Sequence, residues 1–288
     1  MCCTIAHEIK RPHRKSLMLQ TRIITALILL AILLPVLYSG NFFAFSAVVV
    51  IFFAAAIWEC QRLFKKPAPM VMAAIWTVFF AYLLFHLGSF STPLLFALCV
   101  AFWLLRLTPL LSKGLPGFGF SNGLLSTLYG IAIFGCFIAI AVLFQKSPLY
   151  LLSVMVIVWV ADIGAYFAGK AFGKHKLAAT ISPGKSWEGA IGGWLAVLII
   201  SAGSTYVPQL HDTFAVQLFV RKGWLIAALL LSLISAASVV GDLFESMLKR
   251  RAGMKDSSNL LPGHGGALDR IDALIPVLPL AVLLDLWH

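Results

Sequence analysis

Residues 241–272, GDLFESMLKRRAGMKDSSNLLPGHGGALDRID, gather acids, bases, a histidine and glycines into one short span of a chain that is otherwise overwhelmingly apolar. Charge of that density beside a membrane is expensive and implies a use. Asp242, Glu245 and Lys249 stand at i, i+3 and i+7 of a helical pattern that follows an apolar run from about Trp224, so all three share one face. Ser235 and Ser238 extend that face inward. Beyond Arg250 and Arg251 the composition turns to loop chemistry, with Gly253, Ser257, Ser258, Asn259, Pro262, Gly263, Gly265 and Gly266, and glycines allow backbone to approach a ligand. Asp269 and Asp272 lie one helical turn apart at the start of the last apolar segment, whose first N–H groups favour an anion. Carboxylate pairs on two helix ends, with cations and a Gly-rich loop between them, suit a divalent cation and phosphates. Lysines and arginines after a membrane helix also set orientation; acids contribute little to it and need a chemical reason.

A second polar cluster precedes this one. Asp162 falls about two turns inside the apolar run 149–168, among small residues that permit close helix contact. A lone carboxylate there is costly, so it should face a cavity, a cation or a partner such as Lys185. The following loop contains Ile181-Ser182-Pro183-Gly184-Lys185-Ser186-Trp187-Glu188-Gly189, in which Pro-Gly sets a turn and Lys185 and Ser186 offer donors to phosphate. The GxxxxGK[ST] spacing of a P-loop is absent and no strand pattern precedes it, which excludes that nucleotide fold. Seven of the 11 acids fall in the two clusters: Asp162, Glu188, Asp242, Glu245, Asp256, Asp269 and Asp272.

Ser246-Met247-Leu248-Lys249-Arg250, Lys255-Asp256, Leu261-Pro262-Gly263-His264-Gly265-Gly266 and Asp269-Arg270-Ile271-Asp272 together resemble the motif of the phosphatidate cytidylyltransferases, or CDP-diacylglycerol synthases. Ala161-Asp162-Ile163-Gly164-Ala165-Tyr166 and Ser182 to Gly189 are similar to a second motif of that family. The C-terminal half matches in specific residues and the N-terminal half in hydropathy. Ala267 departs from the family, which usually has a larger aliphatic residue there. The resemblance implies transfer of cytidylyl from CTP to phosphatidate, giving CDP-diacylglycerol and pyrophosphate in phospholipid biosynthesis. The lipid phosphate is already an anionic nucleophile, so the demand is to bring two polyanions together for in-line attack. No Ser-His-Asp or Cys-His nucleophile is evident, which fits direct displacement. On this reading Asp242 and Asp269 are direct ligands of Mg²⁺, with Mn²⁺ as the alternative ion, and Asp162, Glu245 or Asp272 stand behind them or hold a second cation. Lys185, Lys249, Arg250, Lys255 and Arg270 contact phosphates, with Ser186 and Asp256 beside them, and Gly263, Gly265 and Gly266 form the CTP loop. His264 either donates to a phosphate and protonates pyrophosphate or orders the loop. A cation-coupled transporter would also keep acids in helices but has no need of the long polar loop. A CDP-alcohol phosphatidyltransferase would carry a D-G-x2-A-R pattern, which is absent.

Whatever positions these residues must be built from membrane helices. The 288 residues are 61% hydrophobic and 11% charged with mean hydropathy +0.96, outside the soluble globular range, which predicts an all-α polytopic integral membrane protein. Apolar segments at 23–39, 42–58, 70–88, 92–111, 124–144, 149–168, 189–207, 224–246 and 272–287 give about nine transmembrane helices. Nineteen of the 22 Lys and Arg residues then fall on one side and only Lys146, Arg221 and Lys222 on the other, which places the N-terminus and both polar clusters in the cytoplasm. The expected organisation is a basic segment 1–22, N-terminal helices 23–144 and a catalytic region 145–288 with cytoplasmic loops 170–188 and 247–272. Within the first of these, Met18 is a candidate true start and residues 1–17 an extension. The first five segments are expected to carry no chemistry, with Trp58 and Trp103 at the membrane interface and His86 structural. Cysteines 2, 3, 60, 99 and 136 lack metal spacing and read as reduced or core thiols. The expected setting is the bacterial cytoplasmic (inner) membrane, with CTP, phosphatidate and the bilayer as partners. The distribution of the +11 net charge argues against nucleic acid, and a homodimer is compatible with the sequence.

Overall fold

A computed structural model describes residues 24–25, 27–28, 30–117 and 119–287; the basic segment 1–22 and the candidate start at Met18 lie outside the described residues. The chain is a bundle of helices: α1 (Leu30–Ser39), α2 (Phe42–Leu63), α3 (Pro69–Leu84), α4 (Thr92–Lys113), α5 (Phe120–Lys146), α6 (Pro148–Phe172), α7 (Trp187–Ser204), α8 (Phe214–Lys222), α9 (Trp224–Ala252) and α10 (Leu274–Leu286). Among the described residues six of these, α2, α4, α5, α6, α7 and α9, are long and apolar enough to cross a membrane, and α1, α3 and α10 are shorter apolar helices. The exceptions to all-helical structure are short. Within the expected loop 170–188, β1 (Lys176–Ala178) pairs antiparallel with β2 (Ser182–Ser186). The expected loop before Trp224 contains α8, an amphipathic helix that buries Phe214, Val216, Leu218 and Phe219.

Helix α5 runs through the middle, with 78% of its most apolar stretch buried against 22–39% for the other five long helices. Aromatic rings fill the space around it: Phe53 stacks on Phe80 at 4.2 Å and meets the edge of Phe137 at 5.4 Å. Trp103 is buried at 4% exposure and meets Phe244 edge-on at 5.5 Å, so it belongs to the core rather than to the membrane interface expected for it. A π-helical turn at Trp103–Leu107 in α4 carries it there. His86 is held structurally, its Nδ1 2.7 Å from the carbonyl of Tyr82. Cys60, Cys99 and Cys136 are free and buried.

The two ends of the bundle differ. At one end Asp285 accepts from Lys146 at 2.6 Å and from Tyr150 at 2.7 Å, with Arg221 at 3.4 Å. At the other end four segments meet: Asn122 donates to Phe64 O at 3.1 Å, Arg251 to Pro116 O at 3.3 Å and Arg250 to Ile181 O at 3.4 Å. Thus, among the described residues, the four loops counted together by charge also lie together in space.

Helices α6 and α7 approach through backbone. A Cβ on Gly193 would strike Ala161 O, one on Gly192 would strike the Ala168 side chain, and one on Gly189 would come within 2.8 Å of Ala165 O. Small residues spaced four apart on both helices make that seam possible.

Candidate active site

The seam opens toward α9 into a cavity of about 830 Å³ whose wall is mostly apolar. Its polar lining includes Asp162 and Lys170 from α6, Lys185 and Ser186 from β2, and Ser232, Ser235, Ser238 and Asp242 from α9. Lys185 forms an ion pair with Asp242 rather than with Asp162, the partner that spacing suggested. The hairpin explains this choice, since β2 delivers Lys185 to α9 while Asp162 stays on the cavity wall. Ser186 caps α7, accepting from Gly189 N at 3.2 Å, and keeps its hydroxyl proton free to donate. Glu188 in the first turn of α7 closes the hairpin onto His175 at 2.6 Å.

The end of α9 and the loop after it form the second half of the site. Gly253 ends the helix in the left-handed region at φ 77°, and Met254 N–H returns to Lys249 O at 2.9 Å. Pro262-Gly263 then makes a tight turn with Gly263 at φ 74° and His264 N–H on Leu261 O at 2.8 Å. The order Pro then positive-φ Gly is that of a type II turn. His264 Nδ1 is buried with no partner.

Asp269 is the hub of this loop. Its Oδ2 accepts from Gly266 N at 2.8 Å and from Ser257 N and Oγ at 2.9 Å each, while Oδ1 accepts from Lys249 at 2.6 Å. Burial works to raise the Asp269 carboxyl, but the Lys249 hydrogen bond and charge and the N–H donors outweigh it and hold it below the usual carboxylate range. Lys249 also reaches Glu245 at 2.7 Å. Gly265 and Gly266 are demanded by internal contacts rather than by open space for a ligand. A Cβ on Gly265 would lie 2.7 Å from Asp269 Oδ2, and one on Gly266 would overlap Ser257 Oγ and the Glu59 carboxylate.

Glu59 is the residue that sequence reasoning passed over. Helix α2 continues to Leu63, past the expected end at 58, and carries Glu59 fully buried into the loop. There it accepts from Ser257 Oγ (2.9 Å), Ser258 Oγ (2.5 Å), Ala267 N (3.1 Å) and Leu268 N (2.7 Å). The N-terminal helices therefore do contribute to the polar loop. The available signal was an acid in the chain's N-terminal half with no orienting role.

The remaining expected site residues divide. Arg250 is tied to the hairpin carbonyl of Ile181. Lys255 and Asp256 face a second cavity of about 550 Å³ with Trp58, Arg62 and Asn259. Arg270 is exposed at the same end.

Asp272, in the turn before α10, is half-buried, and desolvation together with the like charge of Asp242 pushes its carboxyl up. Glu245 Oε1 is buried without a partner. Crowded carboxylates with an orphaned oxygen are what a cation neutralises. Among the described residues no group of three His, Cys, Asp or Glu side chains stands ready to hold a metal.

The Lys185–Asp242 and Lys249–Asp269 pairs and the Gly-rich loop thus lie at one end of a hydrophobic bundle. The model of the Cytidylyltransferase family matches residues 20–286, and the chain belongs to that family. It is 44% identical over 278 residues to the phosphatidate cytidylyltransferase of Pseudomonas aeruginosa, covering 94% of this chain and 97% of that one. Against the phosphatidate cytidylyltransferase of Haemophilus influenzae the identity is 35% over 286 residues, covering 91% and 96%. The enzyme of the same name from Brucella suis is 43% identical over 172 residues, 60% of this chain and 55% of that one. The resemblance carried by residues 246–272 thus extends along nearly the whole chain.

Proposed function

We propose that this protein transfers cytidylyl from CTP to phosphatidate, releasing pyrophosphate and leaving CDP-diacylglycerol in the membrane. The observation that carries this reading is the Lys185–Asp242 pair at an apolar-walled cavity between helices, at the same end of the bundle as the Lys249–Asp269 loop. The cavity suits a lipid head group reached from the bilayer, and the loop suits a nucleotide arriving from water. A phosphatidate oxygen attacks the α-phosphorus of CTP, the bond to the bridging oxygen of the β-phosphate breaks, and pyrophosphate leaves with that electron pair. No proton has to be removed from the nucleophile. A bound divalent cation, Mg²⁺ or Mn²⁺, would screen the phosphate oxygens of both substrates.

Asp242 and Asp269 would hold the cation, with Asp162, Glu245 and Asp272 alongside or at a second ion. Asp242 borders the cavity, and Asp269 Oδ1 keeps a lone pair beyond its bond to Lys249. Lys185 orients the lipid phosphate. Lys249 fixes Asp269, while Arg250, Lys255 and Arg270 supply positive charge to the triphosphate, with Ser186 and Asp256 beside them. The turn Gly263–Gly266 borders CTP, and His264 gives it an imidazole donor. The side bearing 19 of the 22 Lys and Arg residues faces the cytoplasm, and the membrane is the bacterial inner membrane. Nine crossings with α1, α3 and α10 included put that end consistently on one side. A homodimer is compatible with this arrangement.

The test is purified protein in mixed micelles with phosphatidate, labelled CTP and Mg²⁺. Label is expected to enter the organic phase, and folded Asp242→Asn and Asp269→Asn proteins are expected to lose it. Folded wild-type protein that makes no labelled lipid overturns the reading.

A further inference from the structure

We infer that Glu59 is a positioning residue for the nucleotide loop, an inference that rests on the proposed cytidylyl transfer. Three observations converge on it. The carboxylate is fully buried, and all four of its donors are neutral, two on each oxygen. A buried carboxyl group with no cationic partner among the described residues is tolerated only when its lone pairs are filled by fixed donors, so removing it leaves those donors facing one another.

The donors come from both ends of one loop, Ser257 and Ser258 at its start and Ala267 and Leu268 at its end, and all lie about 200 residues away in sequence. Glu59 therefore sets the width of the loop that holds the Pro262-Gly263 turn and His264.

Ser257 Oγ lies 2.9 Å from Glu59 Oε2 and 2.9 Å from Asp269 Oδ2. One hydroxyl proton serves two carboxylates, which couples Glu59 to Asp269 through a single atom. Gly266 has no room for a side chain because Ser257 and Glu59 occupy that space. Glu59 touches no reacting group on this reading; it acts through the loop and Asp269.

The experiment measures kcat and KM for CTP and for phosphatidate in mixed micelles with Mg²⁺, for wild type, Glu59→Gln, Glu59→Asp and Ser258→Ala. Thermal midpoints in detergent provide the folding control. Gln keeps the shape but turns two N–H groups toward donors. It is expected to lower kcat/KM for CTP by on the order of tenfold to a hundredfold, the scale of a misplaced site, with the KM for phosphatidate within about twofold. Glu59→Asp, which keeps the charge, is expected to recover part of the loss. If Glu59→Gln does not fold, Ser258→Ala decides, since it removes one donor and leaves the carboxylate; a selective fall of at least about threefold for CTP is expected. Folded Glu59→Gln with unchanged CTP kinetics, equal effects on both substrates, or an unaffected Ser258→Ala in place of an unfolded Glu59→Gln overturns the inference. An inactive wild type instead overturns the proposed reaction itself.

Discussion

Asp269 illustrates how one carboxyl can be read two ways. The sequence reading expects a metal ligand there; in the structure it is the point where Gly266, Ser257 and Lys249 meet. Asp269→Asn should therefore cost stability as well as activity, because an amide nitrogen would face Lys249. Breaking a buried ion pair costs on the order of 3 kcal/mol, which thermal melts at pH 7 can detect. The pH sign follows from the direction of the shift. A carboxyl held below its unfolded value stabilises the fold above the unfolded pKa, and that contribution disappears as pH falls through the folded value. The gap between wild type and Asp269→Asn should hold from pH 7 down to about pH 4 and narrow only as pH falls below that, and a gap that stays constant there would contradict the assignment. Asp242, paired to Lys185 on the cavity wall, is expected to behave differently. Asp242→Asn should keep its melting temperature within a few degrees and lose on the order of a hundredfold or more in labelled product. At this scale the clustering of polar residues in 241–272 was legible from type and spacing, whereas Glu59 was not. Its partners stand at 257, 258, 267 and 268, and nothing in the residues around it shows that contact.

Among the elements, the long apolar helices were legible because their apolar composition runs over 18–29 residues, and the short ones were blurred. The amphipathic α8 and the β1–β2 hairpin fell inside expected loops, since nine and eight residues of irregular composition carry little pattern. The hairpin matters most for chemistry, because it directs Lys185 to Asp242. The α6–α7 seam makes a direct prediction. Gly193→Leu would drive a side chain into Ala161 O, and overpacking of this kind costs about 1–3 kcal/mol. A lower folded yield and melting temperature in detergent are expected, and an unaltered melt would show that the helices can part. Gly263→Ala addresses the turn: at φ 74° an alanine pays about 1–2 kcal/mol for the left-handed region, visible as weaker CTP kinetics.

For the whole molecule, the charge count and the contacts agree on which segments share an end, although they come from different information. The proposed orientation is checked by cysteine labelling in intact cells. Lys174→Cys should react with an impermeant reagent only after the membrane is opened, and Lys222→Cys should react before; the reverse order would invert the topology. The close seam of α6 and α7 has a mechanical consequence. Backbone resting on backbone leaves no side chains whose rotation could widen a gap, so one wall of the cavity is a fixed jamb. On the proposed reading, passage of a two-tailed lipid then depends on α9, which meets α7 through Trp194 and Ser232 at 2.7 Å. Tying those two positions together with a reducible cross-link, in a background without native cysteines, should halt turnover, and cutting it should restart the enzyme. A door hung on one side opens only there.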